Sequence, residues 1–202
     1  MKGNRKKTEK GFTLIELLVV IAIIAILSVV VILTLNPAEL LRQSRDSNRI
    51  SDLSVTKSAI AFYLVSLTSG ISITTSSGNC YIGDLVGTST SGCSAFASTT
   101  TAVATSTSRQ VNGNGWIPIN FNAITAGGSP LSQEPADPLF NPTSGSSQNF
   151  YAYIASSTGL VYKMATNMES AKYGKGGTSD VVSTDGGGDA AIYEQGTNLL
   201  QL

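Results

Sequence analysis

The sequence predicts an α+β chain: a long N-terminal helix, its first half able to cross a membrane, packed on a small antiparallel β-sheet head. Three observations carry that prediction. Residues Phe12 to Leu35 form an apolar run of 24 residues in which the only charge is Glu16. Beyond Pro37, apolar positions recur at helical spacing until about residue 68. Further on, the β-rich runs "NFYAYIA" and "GLVYKMA" flank "SSTG" as the strands of a hairpin flank their turn.

At 1.5 Å per residue, a helix of that apolar length spans roughly 36 Å, enough for the hydrocarbon core of a bilayer. Residues 1–11 precede it with five basic residues (Lys2, Arg5, Lys6, Lys7, Lys10) and one acid, Glu9. A basic flank keeps the N-terminal end cytoplasmic and sends the rest of the chain outward. A secretory signal peptide would have a shorter apolar core closed by a small-residue cleavage site. Here "TLNPAEL" follows instead. On hydrophobicity alone the segment reads as a simple signal anchor. Glu16 stands against that reading, because an ionised carboxylate in hydrocarbon is costly even on lenient insertion scales.

The residues around Glu16 form a pattern. A basic leader ends at Gly11, Phe12-Thr13-Leu14-Ile15-Glu16 follows, and an unbroken apolar helix continues. This resembles the class III signal of type IV pilins and type II secretion pseudopilins, so the expected fold is pilin-like. The resemblance is specific over residues 1–35 and loose through "NPAELLRQSRDSNRISDLSVTKSAIAFYL". It implies that a prepilin peptidase cuts between Gly11 and Phe12 on the cytoplasmic face and methylates the new Phe12 amine. It also implies that the mature chain is held in the inner membrane with its head outside. An assembly platform then packs it through the N-terminal helix into a filament, with copies of itself or with minor pilins. Glu16, fifth in the mature chain, would there meet the Phe12 amine of a neighbouring subunit, and pairing is what makes buried charge tolerable. The alternatives are pairing with its own Phe12 or snorkelling to the interface.

Helical periodicity predicts a second stretch of helix over about 38–68. Leu53, Ile60, Leu64 and Leu67 share one face, and Arg42, Arg45, Asp46, Arg49, Asp52 and Lys57 are assigned to the other. Asn36 and Pro37 mark where the helix leaves the membrane; Pro37 either kinks it or starts a second helix. Gly70 is the expected stop. Between Val86 and Arg109, 13 of 24 residues are Ser or Thr, too little apolar surface to build a core, so this part is expected to be an irregular connection. Cys80 and Cys93 are the only cysteines. In an exported head they are expected to form a disulfide, the alternative being two free thiols.

Residues 116–166 read as sheet, beginning with "WIPINF" (Trp116 to Phe121) and ending with the hairpin. "EPADPLFNP" between them, with Pro135, Pro138 and Pro142, reads as a rigid connector. Asp-Pro, then a Tyr-rich hairpin, then "MES" (Met168 to Ser170) is similar to the C-terminal region of major pseudopilins, although Leu139 stands where that class usually has Trp. "AAIYEQGTNLLQL" is expected to supply a last strand. The resulting organisation is a leader at 1–11, a transmembrane and assembly helix at 12–35, and its amphipathic continuation at 36–69. A Ser/Thr-rich connecting loop with the disulfide follows at 70–115, and an antiparallel β-sheet head with a C-terminal loop occupies 116–202.

Composition excludes much chemistry. The sequence has no histidine, so neither a Ser-His-Asp nor a Cys-His nucleophile system exists. "DGGGD" lacks the lysine of a phosphate-binding loop. Residues 12–202 hold eight basic and twelve acidic residues, a balance that does not suit nucleic acid. The one acidic constellation is Asp180, Asp185 and Asp189 in the Gly-rich loop from Gly174 to Gly188. Hard cations favour several oxygens on a flexible loop, and major pseudopilins bind calcium in a C-terminal loop. No cofactor is expected: the loop reads first as a simple solvated acidic loop, with calcium as the one candidate ion. The sequence thus predicts a structural, non-enzymatic filament subunit. A secretion pseudopilus fits the tail, and a surface pilus fits the long Ser/Thr-rich region. The competing class is a membrane-anchored extracellular binding module that never polymerises.

Overall fold

In the computed structural model, the described residues are 11–74, 79–83, 93, 103–125, 127–140, 150–156 and 160–199. The leader residues 1–10 and most of the Ser/Thr-rich tract lie outside them. The chain divides into two compact units, Met1–Leu40 and Leu41–Leu202. The first helix, α1, runs Leu14–Leu35. It is apolar on all sides, its described side chains are all exposed, and Leu14–Ile32 is long and apolar enough to cross a membrane. Its two hydroxyls are satisfied inside the helix: Ser28 Oγ donates to Ile24 O (2.7 Å) and Thr34 Oγ1 to Val30 O (3.0 Å). A helix in hydrocarbon needs that self-sufficiency.

α1 ends on Asn36, which is left-handed at φ 40°, ψ 75°, a conformation asparagine tolerates better than most residues. Pro37 then opens α2, Pro37–Ser66. Proline suits a first helical position because its missing N–H would be unsatisfied there anyway. Asn36 O accepts the N–H groups of Glu39 (3.0 Å) and Leu40 (3.3 Å). Pro37 therefore starts a second helix. Gly70, with φ 69°, stands four residues beyond its end.

The buried stripe of α2 differs from the predicted one. It comprises Asp46, Arg49, Leu53, Thr56, Ile60 and Tyr63, with Ala59 beside it. That series follows the 3–4 spacing of one helix face. Leu64 and Leu67 are only partly buried at its flank. Asp46 and Arg49, assigned above to the outer face, are fully buried. Charged residues rarely go inside unpaired; here both are paired, as described below.

Among the described residues, five strands form one sheet in the order β2-β1-β3-β4-β5: β1 Cys80–Ile82, β2 Val103–Thr105, β3 Tyr151–Ser156, β4 Val161–Thr166 and β5 Tyr193–Gly196. All pairings are antiparallel except β1 with β2. The hairpin forms with Tyr153 opposite Met164; its turn, 157–159, lies outside the described residues. Two corrections concern the sheet. Two strands, β1 and β2, come from the region read as irregular connection. "WIPINF" is not a strand: Asn112 and Asn120 make one isolated bridge, and Phe121–Ala123 is a 3₁₀ turn. The apolar side chains of that run nevertheless enter the core, and its polar groups find other partners. Ile117 N–H donates to the Glu134 carboxylate (3.0 Å) and Trp116 Nε1 to Pro135 O (2.9 Å).

Alternation along β3 separates two cores. Tyr151, Tyr153 and Ala155 join Leu53, Ile60 and Tyr63 of α2, together with Trp116, Ile117, Ile119 and Phe121. Ala152 and Ile154 face the other way, into a smaller cluster with Cys80, Ile82, Cys93, Phe150, Ala165 and Ile192. Both faces of the central strand are therefore buried, which is why its sequence is almost continuously apolar.

Candidate functional site

The N-terminal residues of α1 form the first candidate site. Gly11 and Phe12 precede the helix, and Phe12 is 92% exposed. A Cβ on Gly11 would meet nothing within 4 Å, so Gly11 is not packed against other described residues. A cut there leaves the hydrogen-bond ladder of α1 intact, since its first backbone bond is Leu17 N–H to Thr13 O (3.3 Å). Thr13 is the N-cap, with φ −81° and ψ 154°. Its Oγ1 accepts from Glu16 N–H (3.3 Å), while Glu16 Oε2 accepts from Thr13 N–H (2.8 Å) and from Thr13 Oγ1–H (2.7 Å). This is a reciprocal capping box, satisfying two of the donors that a helix start leaves open. Gly11, Phe12 and Glu16 are the residues the sequence pattern singles out, and Thr13 is the one it leaves unassigned. The signal was available, since Thr-x-x-Glu before an apolar run is the signature of that box.

A second constellation lies in the head. Arg49 is fully buried and makes four contacts with three carboxylates. Its Nε and Nη2 grip Asp137 (2.6 and 3.0 Å), Nη1 reaches Asp46 (2.8 Å), and Nη2 reaches Glu169 (2.5 Å). Arg45 closes on Glu169 from a more exposed position (2.5 Å). Asp46 also accepts the N–H groups of Glu169 (3.0 Å) and Ser170 (2.8 Å), and Asp137 accepts that of Leu139 (2.8 Å). Burial alone would raise the Glu169 pKa, but the hydrogen bonds of Arg45 and Arg49 outweigh it and hold this carboxyl below its ordinary value. Asp-Pro and "MES", separate motifs in the sequence, thus meet α2 on one guanidinium. The cluster fastens the helix to the loop before β3 and the segment after β4.

Glu134 is buried with a different balance. Its Oε2 takes the Ile117 N–H, and its Oε1 has no hydrogen-bond partner. Burial, opposed by backbone N–H bonds from Ile117 and Trp116, pushes its pKa up to about 8. Cys80 and Cys93 are bonded to each other. They tie β1 to residue 93 within the smaller core cluster.

Asp180, Asp185 and Asp189 serve separate backbone donors. Asp180 accepts from the N–H groups of Gly176, Val182 and Ser183, and these bonds, led by that of Ser183, lower its pKa. Asp185 accepts from Gly187 and Glu194, and Asp189 from Ala191. Burial raises the Asp185 pKa. Among the described residues, no group of three or more Asp, Glu or Cys side chains comes together as metal ligands. The three aspartates shape the loop by closing its turns.

Residues 6–32 fit the family described as the prokaryotic N-terminal methylation motif. No curated protein and no solved structure matches the chain.

Proposed function

We propose, from the match of residues 6–32 to the prokaryotic N-terminal methylation motif, which is the prepilin-type signal, that the chain is the structural subunit of a type IV pilus-like or secretion pseudopilus-like filament. A prepilin peptidase removes residues 1–11 and methylates the Phe12 amine. The mature chain stays in the inner membrane through α1, with its head outside, until the assembly platform draws it into the filament. Glu16 then pairs with the cationic Phe12 amine of a neighbouring copy. The observation that carries this reading is the matched signal, which ends its basic leader at an exposed Gly11–Phe12 bond and sets one acid a turn into a helix that is otherwise apolar. The sequence holds no histidine, and the reading is structural rather than enzymatic.

The test is a pair of variants, Glu16→Gln and Glu16→Ala. Both should insert and be cleaved, because the cut precedes the substitution. Both should lose most of the filament that can be sheared from cells, because the Phe12 amine would enter the filament without a counter-charge. Wild-type yield at normal mature-subunit levels would show that the carboxylate is incidental to assembly, whereas no sheared filament from the unsubstituted mature chain would favour the competing reading, a membrane-anchored module that does not polymerise.

A further inference from the structure

Glu16 of the uncut chain already has partners. Both Thr13 donors converge on one oxygen, Oε2, and Oε1 takes neither bond. We propose that Thr13 is the positioning residue of the assembly carboxylate: it satisfies Glu16 within the waiting subunit and holds Oε1 open for the Phe12 amine of a second copy. This rests on the filament reading above and adds to it the means by which the acid is carried.

A charge at the edge of hydrocarbon needs donors, and a lone subunit has no neighbour to supply them. Thr13 supplies two from the same chain. Hydrogen bonds to an ionised acceptor are also the stronger kind. The arrangement survives processing. The bond that is cut joins Gly11 to Phe12, whereas the Thr13 N–H belongs to the next peptide group, and the Thr13 hydroxyl is untouched. Because Oε2 accepts both bonds, the carboxylate is fixed at one oxygen and the other can meet a cation without first breaking the cap. Assembly then adds a partner to Glu16 rather than exchanging one.

The experiment compares Thr13→Val, which keeps the shape and loses the hydroxyl, with Thr13→Ser, which keeps it. Two readouts are taken on the full chain: sheared filament per mature subunit in cells, and the Glu16 side-chain carbonyl ¹³C signal of the uncut chain in lipid nanodiscs, assigned with Glu16→Gln. Thr13→Val should move the Glu16 signal and lower filament yield about tenfold, the scale of one hydrogen bond to a charged group. Thr13→Ser should restore both. Loss of yield in both variants, or wild-type yield from Thr13→Val, would overturn the proposal. If valine blocks cleavage, the nanodisc signal decides: unmoved in Thr13→Val, it overturns the proposal. Glu16→Ala separates this inference from the one beneath it. Filaments from Glu16→Ala would remove the filament role of the carboxylate itself. Their absence, beside normal filaments from Thr13→Val, would remove only the role of Thr13.

Discussion

Replacing Arg49 by Met should destabilise the head severely. Methionine fills much of the same volume and removes the charge. Arg49 is fully buried, and its loss leaves Asp46, Asp137 and Glu169 facing one another. Breaking a buried pair by removing one partner costs about 3–5 kcal/mol. Part of the network survives: Glu169 keeps Arg45, and Asp46 and Asp137 keep their backbone N–H donors. A loss of about 4 kcal/mol is therefore expected, which for a head of this size lowers Tm by roughly 8–16 °C. Arg45→Met is the control. That side chain is 25% exposed, and such a pair contributes about 1 kcal/mol or less. Trp116 is the only tryptophan and is buried in the head core, so its fluorescence on heating the full chain in detergent micelles reports the head alone. Equal losses in the two variants, or a loss below about 1 kcal/mol in Arg49→Met, would refute the claim that Arg49 holds the three elements together. The pH dependence has a defined sign. The Glu169 pKa is lowered on folding, so its contribution is present above the ordinary carboxylate value and is lost as pH falls through the lower folded value.

Glu134 should act in the opposite sense. Its pKa rises from an ordinary 4.5 to about 8, so the folded head holds that proton more tightly than the unfolded chain. Stability should decline as pH rises from about 4.5 to about 8 and level off above, by on the order of 5 kcal/mol; urea titrations across that range should show the slope in wild type and its loss in Glu134→Gln. Gly115→Ala should cost about 1–3 kcal/mol by overpacking, because the new Cβ would fall on the Glu134 carboxylate and on Gln110 O; an unchanged urea midpoint would contradict that crowding. Cys80→Ser with Cys93→Ser should cost about 3 kcal/mol, as expected for a closed loop with a sequence separation of 13; non-reducing peptide mapping of wild type should recover the two cysteines as one linked peptide pair.

What was legible in the sequence divides along the range of the interactions. α1 declared itself because membrane length and composition are local properties, and the Gly11-to-Glu16 pattern because its spacing is short. The hairpin was legible from two β-rich runs around a turn. The inner face of α2 was misread at Asp46 and Arg49, although both fit the 3–4 spacing of the buried stripe. Hydrophobic periodicity has no way to count a charge as core, and their partners Asp137 and Glu169 lie 88 and more residues away in sequence. Strands β1 and β2 are three residues each, too short for alternation to register. "WIPINF" alternates like a strand but is held by a carboxylate and a loop carbonyl. Thr13 gives no signal of its own in the sequence, because it is uncharged and Glu16, three residues on, is the only charge in the apolar run.

The central claim is tested most directly by the mass of the mature N-terminus. The full chain is expressed with a prepilin peptidase, recovered from membranes and read by intact and N-terminal peptide mass spectrometry. The account predicts a chain that has lost residues 1–11, begins at Phe12 and carries one methyl group on its amine, with Gly11→Leu left uncut. An intact chain beginning at Met1 in the presence of active peptidase, or a mature start at any residue other than Phe12, would contradict it.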